Sequence, residues 1–373
     1  MRRVERLKVL VFNWRCWLNP KMGGAEVFTR EVLKRWTEVG HDVTLFASKF
    51  EGGHDEEVVE GVKIVRQGGE FSVYRKAKKF YAEHFSKERY NVVIDEINTR
   101  PFLTPKFVKN GESIIALIHQ LAREYWFYET VFPINFLGYH FFEERWLKNY
   151  AKILTVTVSE STKKDLVDLG FERVSVVGEG LNFKPLKRLV EKEGYPVIAY
   201  AGRLKKAKRP DHAVKAFKIV KKNVPHAELW IIGDGYFKDK LTRISCEGVR
   251  FFGSLSNEDR RDAIKKAWVL VNPSVREGFG LNVVEANALG VPCVAYDVPG
   301  LKDSVIDGET GLLVRSGDIE ALAEEIVNVL TNENLRVRLS QKALAYSKSF
   351  SWDKVADEFM KVIESNGDVR AKD

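Results

Sequence analysis

Short apolar runs alternate with segments of helical period along most of the chain. The runs are rich in β-branched side chains and bounded by turn residues, which is typical of parallel strands in βα units. In the first half they cover residues 7–13, 42–47, 62–65, 92–95, 113–118, 153–158 and 174–177. They predict one doubly wound α/β domain.

The same alternation restarts after a basic, proline-containing stretch at residues 182–195. The second set of predicted strands covers residues 197–201, 228–232, 249–252, 269–272, 292–296 and 311–314, and three helical segments follow at 319–330, 333–348 and 352–363. We therefore expect a first domain at residues 1–183 and a second at 195–349, each a Rossmann-like doubly wound α/β domain.

Composition fits this two-domain picture. The chain has 373 residues, of which 45% are hydrophobic and 30% charged, so disorder and repeat architectures are excluded. Its three cysteines, Cys16, Cys246 and Cys293, are far apart in sequence, which argues against a disulfide framework or zinc site and favours a reducing cytoplasm. No apolar run is long enough to span a membrane, and the basic start does not resemble a signal peptide.

The net charge of +8 is spread over both halves of the chain. A nucleic-acid-binding arm or stripe would concentrate it, so no nucleic-acid partner is expected. A small polyanionic ligand such as a nucleotide diphosphate is the milder explanation of the excess positive charge.

Ligands of open α/β sheets bind beyond the carboxyl ends of the strands, and three loops at such ends carry candidate chemistry. The first contains Gly23 and Gly24 ahead of an amphipathic helix, where backbone N–H groups can approach a phosphate or a sugar closely. A tight strand-to-helix turn that needs small residues explains the same pair. The second loop, residues 202–210, carries Arg203 and Lys208 among five basic side chains and can neutralise a diphosphate; a solvated basic loop is the alternative.

The third loop, residues 272–290, is the most specific. A strand ends, the glycine-bearing run Gly278, Phe279, Gly280 follows, and a helix begins near Leu281, so free N–H groups and the positive helix end face the ligand side. Two glutamates flank this turn. Glu277 precedes it and can face a reacting sugar, whereas Glu285 lies in the first or second helical turn and can accept hydrogen bonds from ribose hydroxyls.

Three segments together resemble the family 4 glycosyltransferases, retaining enzymes of the GT-B fold that include a glycogen synthase and mannosyltransferase-like group. They are the N-terminal GGAE, the loop GRLKKAKRP and the stretch EGFGLNVVEANALGVPCVAYDVPGLKDSVIDGETGLLV. The resemblance implies two Rossmann-like domains with a cleft between them, and a C-terminal helix, residues 350–364, that returns to the first domain with Trp352 packed at the crossing. The first domain would then be the acceptor side and the second the nucleotide-sugar side.

The resemblance also implies residue roles. Glu277 would contact the donor sugar, Glu285 the ribose, Arg203 and Lys208 the diphosphate, and Gly24 the phosphate or acceptor side. His119, at the end of a first-domain strand, matches a family position near the transferred sugar, although a core or capping histidine is the plainer interpretation.

Two further glycines follow strands of the second domain. Gly233 and Gly253 are expected to line the nucleotide side, while the G-x-G-x-x-G dinucleotide fingerprint is absent. The segment at residues 178–182 reads Gly-Glu-Gly-Leu-Asn where the family usually has Asn-Gly-hydrophobic-Asp, so contacts there cannot be transferred from the family.

The expected activity is transfer of a hexose-type sugar from a UDP or GDP sugar to a hydroxyl of a glycan or lipid-linked acceptor, with retention of anomeric configuration. Fixed cations and a helix N-terminus would stabilise the leaving diphosphate. The chain lacks a D-x-D pair, so neither a metal nor a cofactor is expected. A sugar-nucleotide epimerase of the same fold and a non-catalytic nucleotide-sugar-binding module remain alternatives.

Two aromatic segments of the first domain raise the question of peripheral membrane contact at the inner face of the membrane. Residues 71–90 interleave basic and aromatic side chains as amphipathic helices on anionic lipid do. Residues 125–150 place aromatic side chains at helical spacing, for which a buried helix face is the favoured interpretation.

Overall fold

The computed structural model describes residues 6–366, so the basic start of the chain lies outside the described residues. The chain divides into two compact units. The first contains residues up to Ala122, Leu137–Gly180 and the segment from Ser351 onward, and the second contains Arg123–Phe136 and Leu181–Phe350. Residues 123–136 were predicted to lie in the first domain, whereas the structure groups them with the second.

The first unit is built on an eight-stranded sheet. Its strands are β1 (Lys8–Phe12), β2 (Asp42–Ala47), β3 (Glu56–Val59), β4 (Val62–Arg66), β5 (Val92–Glu96), β6 (Ser113–Ile118), β7 (Leu154–Thr157) and β8 (Val174–Val176). They lie in the order β3-β4-β2-β1-β5-β6-β7-β8, and all neighbours pair in parallel except β3 with β4, which form an antiparallel pair at the sheet edge. Strand β3 was not predicted, because its sequence, EEVV, has only two apolar residues and none of its four residues is buried.

Helices cover this sheet and hold the chain end against it. They are α1 (Gly24–Glu38), α2 (Val73–Glu83), α5 (Glu143–Leu147), α6 (Glu160–Asp168) and α14 (Trp352–Glu364), while α3 (Tyr125–Glu129) and α4 (Ile134–Leu137) belong to the second unit or its border. Helix α14 packs on α1, where the Trp36 indole N–H donates to the Ala356 carbonyl at 3.0 Å and the Trp36 ring lies 5.1 Å from that of Phe359. The last helix therefore belongs to the first unit.

The second unit is built on a six-stranded parallel sheet. Its strands are β9 (Val197–Ala201), β10 (Glu228–Ile232), β11 (Val249–Gly253), β12 (Val269–Asn272), β13 (Cys293–Asp297) and β14 (Gly311–Arg315), in the order β11-β10-β9-β12-β13-β14. Its helices are α7 (Pro210–Asn223), α8 (Lys238–Ile244), α9 (Asn257–Lys266), α10 (Leu281–Ala288), α11 (Leu301–Ser304), α12 (Ile319–Thr331) and α13 (Glu333–Ser347). Strands β9, β10, β12 and β13 are nearly continuous apolar runs because helices cover both faces of the sheet.

The aromatic stripe at residues 125–150 is not one buried helix face. The chain there forms α3, α4, a single π-helical turn at Gly138–Phe142 and then α5. Phe132 is 78% exposed, and Phe136 and Phe142 are also exposed. The interpretation as a buried face was therefore wrong: Phe132 lies before Pro133 and outside the helix, and the π-helical turn at Gly138–Phe142 changes the angular spacing of the aromatic side chains that follow.

Candidate active site

In the second unit, the basic loop after β9 lies against the glycine loop after β10. The Gly202 N–H donates to the Ile232 carbonyl at 3.0 Å, and the Leu204 N–H donates to the Asp234 carbonyl at 2.9 Å. Gly233 has φ +132°, and a Cβ added there would lie 2.0 Å from the Gly202 carbonyl oxygen. Only glycine fits this close approach, which fixes the loop that carries the half-buried Arg203.

Gly253, the last residue of β11, belongs to the same corner. The Gly233 N–H donates to its carbonyl at 2.8 Å. Both glycines that were predicted to line the nucleotide side thus lie side by side at the carboxyl ends of β10 and β11.

Lys208 and Glu277, predicted from two separate loops, are in direct contact. Lys208 Nζ donates to Glu277 Oε2 at 2.5 Å, and Ser274 Oγ donates to Glu277 Oε1 at 2.7 Å. Burial lowers the pKa of Lys208, but the negative charge of Glu277 outweighs it, so the pKa lies above its ordinary value. The ammonium group is therefore a fixed positive charge throughout the physiological pH range.

The Pro299-Gly300 turn packs against the backbone of Glu277. The Glu277 N–H donates to the Pro299 carbonyl at 3.0 Å. Gly300 has φ +84°, and a Cβ there would lie 2.2 Å from the Glu277 carbonyl oxygen. A glycine at position 300 therefore allows the Pro299-Gly300 turn to lie in contact with the loop that carries Glu277.

Helix α10 begins at Leu281, after Gly280 with φ +91°, and its first turn is tied to two strand ends. Asn282 Nδ2 donates to the Ala201 carbonyl at 2.9 Å, and Asn272 Nδ2 donates to Asn282 Oδ1 at 3.1 Å. The Phe279 ring packs 5.7 Å from that of Phe350. The two asparagine contacts hold the first turn of α10 at the carboxyl ends of β9 and β12. Both asparagines lie within the predicted motif, but no role was expected for them.

Glu285 lies in the second turn of α10, within the range predicted for it. Its Oε2 accepts a hydrogen bond from Arg260 Nη2 of α9. The two side chains are 18% and 27% exposed, respectively, so the carboxylate is oriented by an arginine yet remains reachable. Arg260 carries no motif signal, since it lies on a charged helix whose pattern resembles any solvated face.

An unexpected element at this site is the segment Arg123–Phe136, which we call the strap. Glu124 Oε2 accepts from Arg276 Nε at 2.9 Å, and the Tyr125 ring centroid lies 5.8 Å from Lys208 Nζ. Glu129 accepts from the Ala207 N–H at 3.0 Å and from the Tyr236 hydroxyl at 2.9 Å. The strap therefore contacts the basic loop that was predicted to hold the diphosphate.

In the first unit, Gly23 and Gly24 stand at the start of α1, as predicted, with Gly23 as N-cap. The Gly23 N–H donates to Glu26 Oε2 at 2.5 Å, and Glu26 Oε1 pairs with Arg15 at 3.2 Å. The helix thus caps itself with its own carboxylate, and the Gly23 N–H is already engaged.

His119 follows β6, and its side chain is buried. Its Nε2 lies 3.2 Å from Glu96 Oε1, and its ring stands edge-on to Phe28 at 5.0 Å. Burial lowers the pKa of His119, but the hydrogen bond and charge of Glu96 outweigh it and raise the pKa above its ordinary value. Glu96 also accepts a hydrogen bond from Thr29 Oγ1 at 2.5 Å, so each of its two carboxyl oxygens has a partner.

Glu179, for which no role was predicted, belongs to the same cluster. It is 5% exposed, and among the described residues its Oε2 has no hydrogen-bond partner. Burial raises its pKa to about 8, partly offset by the charge of His119. The available signal was the departure from the family pattern at residues 178–182. The next residue, Gly180, is fixed against Trp352, since a Cβ there would lie 2.4 Å from Trp352 Cδ2.

Within residues 6–366, no helix combines the length and apolar character needed to cross a membrane.

Two protein-family models match overlapping parts of the chain. One, described as Glycosyltransferase Family 4, matches residues 22–184, and the other, described as Glycosyl transferases group 1, matches residues 176–345. An uncharacterized glycosyltransferase of Methanocaldococcus jannaschii is 25% identical over 354 residues, which are 94% of this chain and 96% of that protein. A D-inositol 3-phosphate glycosyltransferase of Corynebacterium efficiens is 29% identical over 58% of this chain and 57% of its own length.

Solved structures share the fold over almost the whole chain. Sucrose-phosphate synthase from Thermosynechococcus elongatus superposes with a TM-score of 0.77 at 19% identity, covering 96% of this chain and 99% of that one. Anabaena HepE, solved in complex with UDP-glucose, has a TM-score of 0.74 at 16% identity, covering 96% and 100%. The chain therefore belongs to glycosyltransferase family 4 and is a glycosyltransferase of the GT-B fold.

Proposed function

We propose that the protein transfers a hexosyl group from a UDP or GDP sugar to a hydroxyl of a glycan or lipid-linked acceptor, with retention of anomeric configuration. The observation that carries this proposal is the arrangement around α10. Its N-terminal turn follows Glu277, which Lys208 and Ser274 hold, and its second turn carries Glu285, which Arg260 holds. A diphosphate would bind Lys208 and the N-terminal amides of α10, and the transferred sugar would contact Glu277. The ribose would bind Glu285, in the second turn of α10.

The chemistry follows from the charges that develop. As the bond between the anomeric carbon and the phosphate oxygen breaks, negative charge grows on the diphosphate and positive charge on the sugar ring. Lys208, Arg203 and the amides at Gly278–Leu281 would stabilise the first, and Glu277 the second. The acceptor oxygen bonds to the anomeric carbon on the same face, and its proton passes to the departing phosphate.

Because protein cations supply the countercharge, we propose that the reaction needs no metal and no cofactor. Turnover in excess EDTA should equal turnover in its absence. A UDP-sugar donor is supported by HepE, which was solved with UDP-glucose, whereas a GDP-sugar donor is carried by the resemblance alone. The relative named D-inositol 3-phosphate glycosyltransferase supports a hydroxyl as the acceptor group, although the compound in that name carries a phosphate.

Calorimetric titration with UDP, GDP and their glucose and mannose conjugates tests the donor assignment. Incubation of the bound donor with mixed glycan and lipid-linked acceptors, followed by mass spectrometry, tests transfer. A donor that is converted to its epimer without an acceptor would support the epimerase, and tight binding without turnover would support a binding module. Failure of every nucleotide to bind would overturn the proposal.

Peripheral contact with an anionic membrane is a second proposal, supported by exposed apolar side chains on consecutive stretches of chain. Those between residues 127 and 142 are Phe127, Val131, Phe132, Ile134, Phe136, Leu137, Phe141 and Phe142. In the first unit, Phe71 is 83% exposed just before α2, whose outward side chains Arg75, Lys76, Lys78 and Lys79 are basic. Apolar side chains next to cations suit a lipid headgroup layer.

A further inference from the structure

The buried cluster around His119 contains one carboxyl oxygen, Glu179 Oε2, that has no hydrogen-bond partner among the described residues. Glu96 is engaged by His119 and Thr29, and Glu26 by Arg15 and the Gly23 amide. Among the described residues, Glu179 Oε2 alone of these carboxyl oxygens is buried without a hydrogen-bond partner. A buried polar atom left without a partner costs free energy, so a group that serves only the fold would not be expected to stay in this state.

The surroundings of Glu179 determine what it can bind. The charged groups that face His119 are Glu96 from β5, Glu26 from α1 and Glu179 from the loop after β8, with Arg15 committed to Glu26. An incoming phosphate or carboxylate would meet the carboxyl groups of this cluster, while His119 is already paired with Glu96 and Arg15 with Glu26. A neutral hydroxyl, in contrast, can accept from a protonated carboxyl and donate to its other oxygen.

We propose that Glu179 binds a hydroxyl of an uncharged sugar beside His119 and that it selects against phosphorylated sugars at this position. The proposal rests on the proposed function, because it names the class of substrate that the first unit takes. The sugar is either the hexosyl group of the donor or the acceptor. By the resemblance described above, the family element Asn-Gly-hydrophobic-Asp is replaced at this segment by Glu179, Gly180, Leu181 and Asn182.

Two variants separate binding from folding. Glu179→Gln keeps a neutral group that donates and accepts, whereas Glu179→Met has similar length and no hydrogen-bonding oxygen. Since Glu179 Oε2 has no hydrogen-bond partner to lose among the described residues, both variants should fold, and their melting temperatures should be at least that of the wild type. Glu172→Gln, an exposed glutamate before β8, is the matched control.

The first experiment measures the dissociation constants of UDP, UDP-glucose, GDP and GDP-mannose for each variant. If the hydroxyl belongs to the donor sugar, Glu179→Met should lose about tenfold in affinity for the sugar conjugate and nothing for the bare nucleotide. Glu179→Gln should bind both as the wild type does at pH 7. If neither nucleotide series binds the wild type, the proposed function fails, and not this inference alone.

The second experiment measures UDP release from UDP-glucose with methyl α-D-glucoside or glucose 6-phosphate as the added acceptor. If the hydroxyl belongs to the acceptor, the neutral glucoside should accelerate release by the wild type, and Glu179→Met should raise its KM about tenfold with little change in kcat. The wild-type KM should rise as the pH passes 8, and the KM of Glu179→Gln should not. Unchanged values for Glu179→Met in both experiments, or stronger acceleration by glucose 6-phosphate than by the glucoside, would overturn the proposal.

Discussion

Lys208 Nζ and Glu277 Oε2 lie 2.5 Å apart, so the cation and the carboxylate predicted from separate loops form one ion pair. The two side chains are 23% and 14% exposed, and a pair so shielded responds strongly to loss of either member. We expect Lys208→Met to weaken UDP binding by about 10- to 100-fold, because a charge-assisted hydrogen bond contributes about 1.5–3 kcal/mol. Glu277→Gln should abolish transfer and leave the UDP dissociation constant within a few-fold of the wild type.

Isothermal titration with UDP and a coupled assay of UDP release measure the two effects. Lys215→Met is the matched control, since Lys215 is a half-exposed lysine of α7 that pairs with Asp211 within its own helix. Unchanged turnover of Glu277→Gln would remove Glu277 from the mechanism.

The Arg260–Glu285 pair gives a second prediction. If Glu285 accepts hydrogen bonds from the ribose, the wild type should bind UDP about tenfold more tightly than 2′,3′-dideoxy-UDP, and Glu285→Ala should bind both equally. Arg260→Ala leaves the carboxylate in place but unoriented, so we expect an intermediate preference. Competition binding against a fluorescent nucleotide measures the ratios.

Lys265→Ala, on the exposed side of the same helix α9, serves as control. A full preference for UDP in Glu285→Ala would exclude Glu285 from ribose recognition.

Because the Glu179 carboxyl is buried, we expect the free energy of unfolding to decrease as the pH rises. Burial raises its pKa in the folded protein to about 8, from an ordinary value of 4.5. Below pH 4.5 the carboxyl is protonated in both states. As the pH rises from there towards 8, the unfolded chain loses this proton first, so the free energy of unfolding falls by about 1.4 kcal/mol per pH unit through this group.

Glu179→Gln removes that dependence together with the rise in the pKa of His119 that the charge of Glu179 causes, and it leaves the groups outside this cluster unchanged. We therefore expect the variant to be more stable than the wild type, with a difference that grows from about pH 5.5 to pH 8 and then levels off. Melting temperatures across this range measure it. A constant difference between the two proteins would contradict the assignment.

Most of the fold was accessible from the sequence because buried parallel strands are distinctive. The runs predicted at 42–47, 113–118, 197–201, 228–232 and 269–272 coincide with observed strands residue for residue. Edge strand β3 was not accessible, since its exposed acidic residues imitate a loop. Membership of the strap in the second unit was equally hidden, because it depends on contacts with residues about 80 to 150 positions away, such as Ala207 and Arg276.

In the candidate site, too, some residues could be predicted from the sequence and others could not. Motifs identified Lys208, Glu277 and Glu285, whose chemistry and loop positions are distinctive. They did not reveal Arg260 or Asn282 as partners, because a side chain that orients another group has no sequence pattern of its own. Glu179 stood out only as a departure from a family pattern, and its isolation among buried groups required the structure.

Gly233 gives a prediction on stability. Its φ is +132°, and a Cβ at this position would lie 2.0 Å from the Gly202 oxygen, so alanine strains the backbone and also drives two loops apart. Gly253 has φ +66°, but a Cβ there meets nothing within 4 Å, so Gly253→Ala adds only backbone strain. We expect Gly233→Ala to cost about 1–3 kcal/mol more than Gly253→Ala.

Thermal unfolding measures the difference in stability between the two variants. The affinity for UDP should also fall in Gly233→Ala, because the loop that carries Arg203 moves. Equal melting temperatures would show that the two loops separate without cost.

Membrane contact is tested on the exposed aromatic side chains and the basic face of α2. The wild type should float with vesicles containing anionic phospholipid at low salt and remain at the bottom with purely zwitterionic vesicles. Phe132→Ser combined with Phe141→Ser should weaken flotation at every salt concentration, because apolar burial does not depend on ionic strength. Lys76→Gln combined with Lys79→Gln should weaken flotation mainly at low salt, where headgroup attraction is strongest.

Val39→Ser, which changes an exposed apolar residue at the end of α1, is the control for the aromatic pair. A wild type that stays in the soluble fraction with anionic vesicles at low salt would exclude the membrane proposal and leave a glycan without a lipid anchor as the acceptor to be tested.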